Sequence, residues 1–492
     1  MAQRSVVAQT TQPETYTTPI MYWWMRHFFT EDVSPATHPL IELERRASWV
    51  GLALVLQALN EIQAAWYLPY VHWLRPYVQL IPFFLILGSF IAMWQAFRPI
   101  TLKQQAQDMQ KHPSRGLQIL LVLALLTIIG GGIELGRVAI MCFQPPRYSN
   151  DGATLDSNAA TLLLQGRNPY TDSNMVDIAR HYPILPNWTT PLRVGQFAHQ
   201  ISYPNSVELR TVLDTDLKAG KTPEFESKVS YPALSFLTLV PVIWLHLPNV
   251  IPFYLASYLL LVFLGWKFAR PELRPWLLVF SMTNVPMWSS VFGGNLDIFY
   301  SILILMVWLL RERTWASSLF LGLALATKQI AWFFIPFYII LIWRSYGFRE
   351  IAFRLLIAGS IGLIINLPFI LWNPSAWLTG ILTPIADPMF PLGAGLVGLG
   401  FTPFLPVFPP FVYSILEALA LLLSIAWYWR LCKEHPESVM LLAVLPLFFA
   451  WRSLPSYFYC SAFLLFMLLA AKVNNRSTDL AGKVLRVSSQ GE

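Results

Sequence analysis

The chain has little charge, few cysteines and no internal repeat of fixed period. Only 12% of its 492 residues are Asp, Glu, Lys or Arg, about half the usual share, while 55% are hydrophobic, so a single soluble globular core is excluded. Its three cysteines, Cys142, Cys432 and Cys460, are too few and too scattered for a disulfide framework or a metal site. No metal or cofactor is expected. Residues 1–46 lack a charged start followed by an apolar run and a small-residue cleavage site, so no cleaved signal peptide is expected. The segment 373–408 contains no Lys or Arg. The net charge of +7 does not point to nucleic acid, because the basic residues sit in short loops between apolar runs.

What is present is a series of runs long enough to span a hydrocarbon core of about 30 Å, which predicts an all-α polytopic membrane protein. Spans are expected near 47–66, 77–97 and 117–142. Apolar segments follow at 231–247, 250–266, 276–291, 296–310, 315–327, 330–343, 351–372, 409–429, 437–450 and 457–471. Trp23, Trp24, Phe28 and Phe29 beside Arg26 suggest an interfacial helix before the first span.

Charge sets the expected orientation. Arg45 and Arg46 precede the first span, Arg98, Lys103 and Lys111 follow the second, and further basic clusters reach the tail at Lys472 and Arg476. Both termini are therefore expected in the cytoplasm, with 144–230 outside. If 231–247 and 250–266 both crossed, Lys267, Arg270 and Arg274 would land on the wrong side. The Pro-bearing 231–247 is thus expected to be partial or to lie along the surface. The short segments 315–327 and 330–343 are expected to form a hairpin with Lys328 at an outward apex.

The one long polar segment, 144–230, opens with Tyr148-Ser-Asn-Asp151-Gly-Ala-Thr-Leu-Asp156. Leu155 to Gln165 reads as a short amphipathic helix, with Asp156 as N-cap, Gly166 just past its end and Asn168-Pro169 blocking continuation. Asp151 suits a general base that takes a proton from an acceptor hydroxyl. Asn150-Asp151-Gly152 is equally a common turn sequence. For Asp156 the cap role competes with catalysis or with sugar-hydroxyl binding.

Other candidates also have two readings. Glu134 and Arg137, one turn apart, read as an ion pair that satisfies itself. Asn60, Glu61 and Glu417 read as helix–helix contacts. Lys328 follows the apolar run Leu321 to Thr327, where an ammonium needs a partner; a phosphate would serve, and snorkelling is the alternative. In Gly293-Gly294-Asn295-Leu296-Asp297, Asn295 could cap the next helix and Asp297 complement its dipole. Arg452, between Trp451 and Tyr457 near the last helix, is a phosphate-binding candidate or an interfacial anchor. The sequon Asn187-Trp188-Thr189 falls in the polar segment.

Four stretches together resemble the GT-C-fold glycosyltransferases, closest to the glycosyltransferase 87 family of polyprenyl-phosphate-mannose-dependent enzymes. They are Asp151-Gly-Ala through Gly166-Arg-Asn168-Pro169-Tyr170, Tyr231-Pro232-Ala233-Leu234, Gly293-Gly294-Asn295, and Leu321-Gly322 through Thr327-Lys328. Ala233 stands where the family has a second Pro and Gly294 where it has Gln, and the spacing from Asp151 to Ala159-Ala160 is not the commonest. That spacing keeps Asp156 as an alternative base. The resemblance implies a bundle of roughly 11–13 membrane helices with its long outer loop between the third and fourth apolar segments. On this reading 1–116 holds the amino terminus and two additional helices, 117–472 is the catalytic membrane domain, and 473–492 is a tail. The implied activity is transfer of a hexose, mannose in that family, from a polyprenyl-phosphate donor to a lipid or glycan acceptor at the outer face. Asp151 would occupy the base position, and Asn168, Tyr170, Asn295, Lys328 and Arg452 form the candidate substrate-binding set. The expected partners are membrane lipid, the lipid-linked donor and a glycan or glycolipid acceptor. A transporter or flippase of lipid-linked saccharides is the competing class, and would place its binding charges near mid-membrane on discontinuous helices.

Overall fold

The computed structural model describes residues 38–65, 77–97, 115–145, 151–182, 185 and 189–471. The expected interfacial helix around Trp23 to Phe29, the loop cations Arg98, Lys103 and Lys111, Asn150, the residues Asn187 and Trp188 of the sequon, and the basic tail lie outside them.

The chain is an integral, multi-pass, almost entirely helical protein. Among the described residues five helices are long and apolar enough to cross a membrane: Val122–Met141, Ile251–Phe268, Gln329–Tyr346, Phe348–Trp372 and Pro410–Leu431. The first three expected spans appear as α1 (His38–Ala65), α2 (Leu80–Gln95) and α3 (Arg115–Met141). α1 packs on α2. In the outer segment follow α4 (Asp151–Leu164), α5 (Pro169–Asp172), α6 (Met175–His181) and α7 (Ser206–Ala219). α7 starts from a capping box in which Asn205 accepts from the backbone of Glu208 and the Glu208 carboxylate accepts from that of Asn205.

The 231–247 run forms two short helices, α8 (Leu234–Leu237) and α9 (Val240–Trp244). Pro241 has no N–H to give and its ring crowds the carbonyl one turn back. After α10 (Ile251–Phe268), the expected single span 276–291 is instead two helices, α11 (Arg274–Thr283) and α12 (Val285–Gly293). Pro286 in the first turn of α12 has the same effect there, and Asn284 between them leaves helical geometry at φ −75°, ψ 59°.

Next come α13 (Asp297–Leu309), α14 (Thr314–Leu325), a 3-10 stretch Gln329–Phe334, α15 (Ile335–Tyr346) and α16 (Phe348–Trp372). Gly322 lets α14 lie directly on α16, because a Cβ there would come within 2.6 Å of the Ala358 carbonyl oxygen. The Lys-free and Arg-free segment contains an unexpected helix, α17 (Pro374–Ala386), whose first turn is capped by Asn373. α18 (Pro410–Leu431) precedes Pro436–Phe449, a broken apolar helical segment in which one α-helical turn, Val439–Leu442, lies between two 3-10 turns, and α19 (Ser461–Ala470) ends the described chain. Beside the helices, β1 (Leu392–Gly393) and β2 (Arg452–Ser453) pair in parallel, Leu392 opposite Arg452.

Two apolar cores result. The large one fills the helix bundle, and α1 joins it by packing on α12 and α19. A small outer core gathers Leu155, Met175, Ile178, Phe197, Leu209, Phe225 and Phe390. α4 lies between them: its Leu155 belongs to the outer core, and its Ala153, Ala159 and Ala160 to the inner one.

Candidate functional site

α4 begins four residues earlier than the sequence reading placed it. Asp151 therefore occupies its first turn, where a carboxylate complements the helix dipole. The turn reading of Asp151-Gly152 is overturned, and so is the cap role of Asp156, which sits more than a turn inside the helix. Gly166 does end the segment, in the left-handed conformation at φ 74°.

The two carboxylates differ in surroundings. Asp151 is half-buried, and its Oδ2 accepts a short hydrogen bond from the Thr190 hydroxyl. Asp156 is 1% exposed; its Oδ1 accepts from Ser235 Oγ at 2.9 Å and its Oδ2 is buried without a hydrogen-bond partner. Burial pushes the Asp156 carboxyl up to about 7; the Ser235 bond and the Lys328 charge oppose this, and the Asp151 charge adds to it.

Ser235 is fixed because the stretch just before it is held from several sides. The Tyr170 hydroxyl donates to the Tyr231 carbonyl at 2.8 Å, and Asn366 Oδ1 accepts from the Ala233 N–H at 3.0 Å. Gln329 donates to the Ser230 carbonyl at 2.5 Å, and the Leu234 N–H donates to the Ala326 carbonyl at 2.9 Å. These bonds tie α8 to the break between α14 and α15, where Lys328 stands.

Lys328 neither snorkels nor sits at an exposed apex. It is 5% exposed, its Nζ lies 2.5 Å from Asp297 Oδ1, and it stands 5.1 Å from the centre of the Tyr231 ring. Asp297 is held at the start of α13 by Asn295, whose Oδ1 accepts from the Asp297 N–H at 3.1 Å. Asn295 is thus in the capping role expected for it. Asn168 has a similar job: its Oδ1 accepts from the Tyr170 N–H at 3.0 Å and starts α5.

Arg452 enters from β2. It is half-buried, and its Nη1 is buried without a hydrogen-bond partner. Its neighbour Trp451 is fixed by donating to the Met389 carbonyl at 3.0 Å. The charges of Arg452 and Asp151 both reach the Tyr203 phenol, which burial pushes up to about 12. Tyr231 is within electrostatic reach of Asp151, Asp297, Asp156 and Arg452, and Tyr457 of Arg452, Lys328 and Asp297. Asp151, Asp156 and Arg452, more than 300 residues apart at the extremes, therefore all act electrostatically on Tyr231, against whose ring Lys328 stands. Tyr170 fixes the Tyr231 backbone, Asn168 holds Tyr170 in turn, and Asn295 holds Asp297, the partner of Lys328.

Sequence reading missed Asp297 as the counter-ion of Lys328, although two lone ionisable residues in apolar helices invite pairing. It also missed Asn366, a lone amide in an apolar span. Thr190, Ser235 and Tyr203 carry no local signal. Glu134 and Arg137 do pair with each other, at 2.6 Å. Among the described residues no group of three or more His, Cys, Asp or Glu side chains is placed to hold a metal ion. No protein-family model, curated protein or solved structure matches the chain.

Proposed function

We propose that the protein is a membrane glycosyltransferase of the GT-C type, an inverting hexosyltransferase that moves a sugar, mannose first among candidates, from a polyprenyl-phosphate donor to a lipid or glycan acceptor. The observation that carries this reading is that a half-buried carboxylate, Asp151, and the guanidinium of Arg452, whose Nη1 has no hydrogen-bond partner, both act electrostatically on Tyr231, at the seam between the bundle and the outer core. Such a seam suits a donor whose lipid stays in the membrane while its sugar meets water.

In the proposed reaction Asp151 takes the proton of the acceptor hydroxyl, the acceptor oxygen bonds to the anomeric carbon, and the bond from that carbon to the phosphate oxygen breaks. The electron pair leaves on polyprenyl phosphate, which needs no proton from an acid. Arg452 would hold the phosphate through charge-assisted hydrogen bonds. Asp151 is preferred over Asp156 as base because Asp156 is sealed from solvent and bonded to Ser235. Purified protein incubated with labelled polyprenyl-phosphate sugars and acceptor lipids should form a glycosylated product. Neither transfer nor donor hydrolysis with any donor of the panel would sink the reading.

The orientation follows the positive-inside pattern, with 144–230 outside and both termini in the cytoplasm. Cys142, Cys432 and Cys460 are all buried, so a cysteine replacing exposed Lys221 can be labelled against a quiet background. Labelling by an impermeant reagent should succeed on intact cells; labelling only after permeabilisation would invert the topology.

A transporter of lipid-linked saccharides is the second reading, favoured by the helix breaks at Asn284 and Lys328 and by the buried Lys328–Asp297 pair. Translocation of a labelled lipid-linked sugar in proteoliposomes, without any transfer product, would select it.

A further inference from the structure

Away from this centre, α1 carries three polar side chains on one face, Gln57, Asn60 and Glu61, spaced as successive-turn neighbours. All three are directed at the start of α19. Gln57 Nε2 faces the Phe458 carbonyl at 3.3 Å, Ser461 Oγ at 3.4 Å and Ser89 Oγ at 3.5 Å. Both hydroxyls spend their own protons on backbone carbonyls, Ser89 on Ile86 at 2.8 Å and Ser461 on Phe458 at 2.6 Å. The Phe458 carbonyl can only accept, so the amide orientation of Gln57 is fixed and its Oε1 is the atom left over. That oxygen is buried without a partner, in a side chain with no exposure.

One turn toward the end of α1 the pattern repeats. The Tyr459 hydroxyl donates a short hydrogen bond to Glu61, and the amide of Asn60 faces the same phenol oxygen. With its N–H group so placed, Asn60 keeps an acceptor, Oδ1, buried and unpartnered at 1% exposure. Glu61 itself is half-buried, flanked by Tyr459, Ser289 and the charge of Glu134. Glu134 is already neutralised by Arg137. Among the described residues no Lys, Arg or His nitrogen lies within ion-pair distance of Glu61.

The leftover groups are two amide oxygens with no protein donor, beside a carboxylate that accepts from hydroxyls but has no cation opposite it. Each buried acceptor left bare is costly, and a lone carboxylate in an apolar bundle more so. Oxygen-only ligands select a hard cation. A single negative charge is neutralised by one positive charge, whereas a divalent ion would leave a buried surplus. We propose that Gln57, Asn60 and Glu61, closed by Tyr459, form a binding site for a monovalent alkali cation, separate from the Asp151 centre.

The test uses the full chain purified in detergent, unfolded thermally in sodium, potassium or choline chloride at one ionic strength. Sodium or potassium should raise the unfolding temperature over choline, acidification should abolish the rise by protonating Glu61, and Glu61→Gln should be unresponsive. Should Glu61→Gln fail to fold, binding of radiolabelled sodium or rubidium to the wild-type protein decides the matter; one acid-releasable ion per chain is expected. Identical unfolding in all three salts with no bound label would overturn the proposal and make Glu61 a protonated side chain among hydrated amides. A response to divalent ions alone would overturn it as well.

Discussion

Lys328 Nζ and Asp297 Oδ1 lie 2.5 Å apart, with side chains only 6% and 2% exposed, at the helix break where α14 gives way to the 3-10 stretch before α15. Each charge is tolerable there only because of the other. Lys328→Ala should therefore cost about 3–5 kcal/mol of stability, the usual loss when a buried pair keeps one partner. The double change Asp297→Leu with Lys328→Met should recover most of that loss in thermal unfolding. A single variant as stable as the wild type would mean that solvent or a ligand, not Asp297, meets the ammonium.

Because Lys328 is committed to Asp297, Arg452 becomes the first candidate for a donor phosphate. Its Nη1 is buried without a protein acceptor, and β1 fixes its backbone. Arg452→Ala should weaken binding of polyprenyl phosphate by about 1.5–3 kcal/mol, the range for charge-assisted hydrogen bonds. Arg452→Lys should restore only part of this, since an ammonium lacks the planar fork. Unchanged phosphate affinity in Arg452→Ala, measured by direct titration, would move the anion site elsewhere.

The multi-pass, helical character was legible because apolar runs are summed over many residues and survive local exceptions, and five described helices are long enough to cross. The run 231–247 was read as partial because of its Pro and the loop charges, and it is broken. The 276–291 run reads as one apolar segment because its hydropathy is nearly continuous, and only Asn284 and Pro286 mark the break. Asp151 and Arg452 were visible as isolated polar residues, but their meeting at Tyr231 was not, since tertiary packing alone brings them together. The start of α4 was misplaced because Asp-Gly is ordinarily a turn pair, and here the helix is imposed by two cores on either side. The helix α17 was missed because its apolar sequence carries no basic flank to mark it.

Carboxyls of the outer segment make stability depend on pH. Asp156 is pushed up to about 7 by burial, and Glu226 to about 8 by burial and by neighbouring Asp387. Glu226 Oε1 accepts from the N–H groups of Ser227 and Lys228, while Lys228 Nζ holds Asp387 at 2.7 Å. Folding thus binds protons that an unfolded chain would release. Their stabilising contribution is full below the ordinary carboxyl range and is lost as pH rises through about 7 and 8. Glu226→Gln imitates the protonated form, so its unfolding temperature should gain on the wild type as pH rises from neutral to alkaline. A gap that stays constant with pH would show that Glu226 titrates normally.

Asp151 and Asp156 allow the mechanism to be separated from the fold, because both lie on α4 and only one is open. Asp151→Asn keeps an acceptor for the Thr190 hydroxyl and gives up a first-turn charge worth about 0.3–1 kcal/mol, so the helix should persist. It cannot take a proton. Turnover should fall by roughly 10²–10⁴-fold with donor binding nearly unchanged, the usual loss when a general base is removed. Asp156→Asn keeps an oxygen for Ser235 Oγ and resembles the protonated acid already favoured by burial, so turnover should change far less. Ser235→Ala extends the test. It strips Asp156 of its one hydrogen bond in the structure and should push that carboxyl further up, shifting the alkaline side of the stability profile without removing the base. An active Asp151→Asn enzyme beside an inactive, folded Asp156→Asn enzyme would reverse the two roles. Full activity of both, assayed with the true donor, would place the base outside α4.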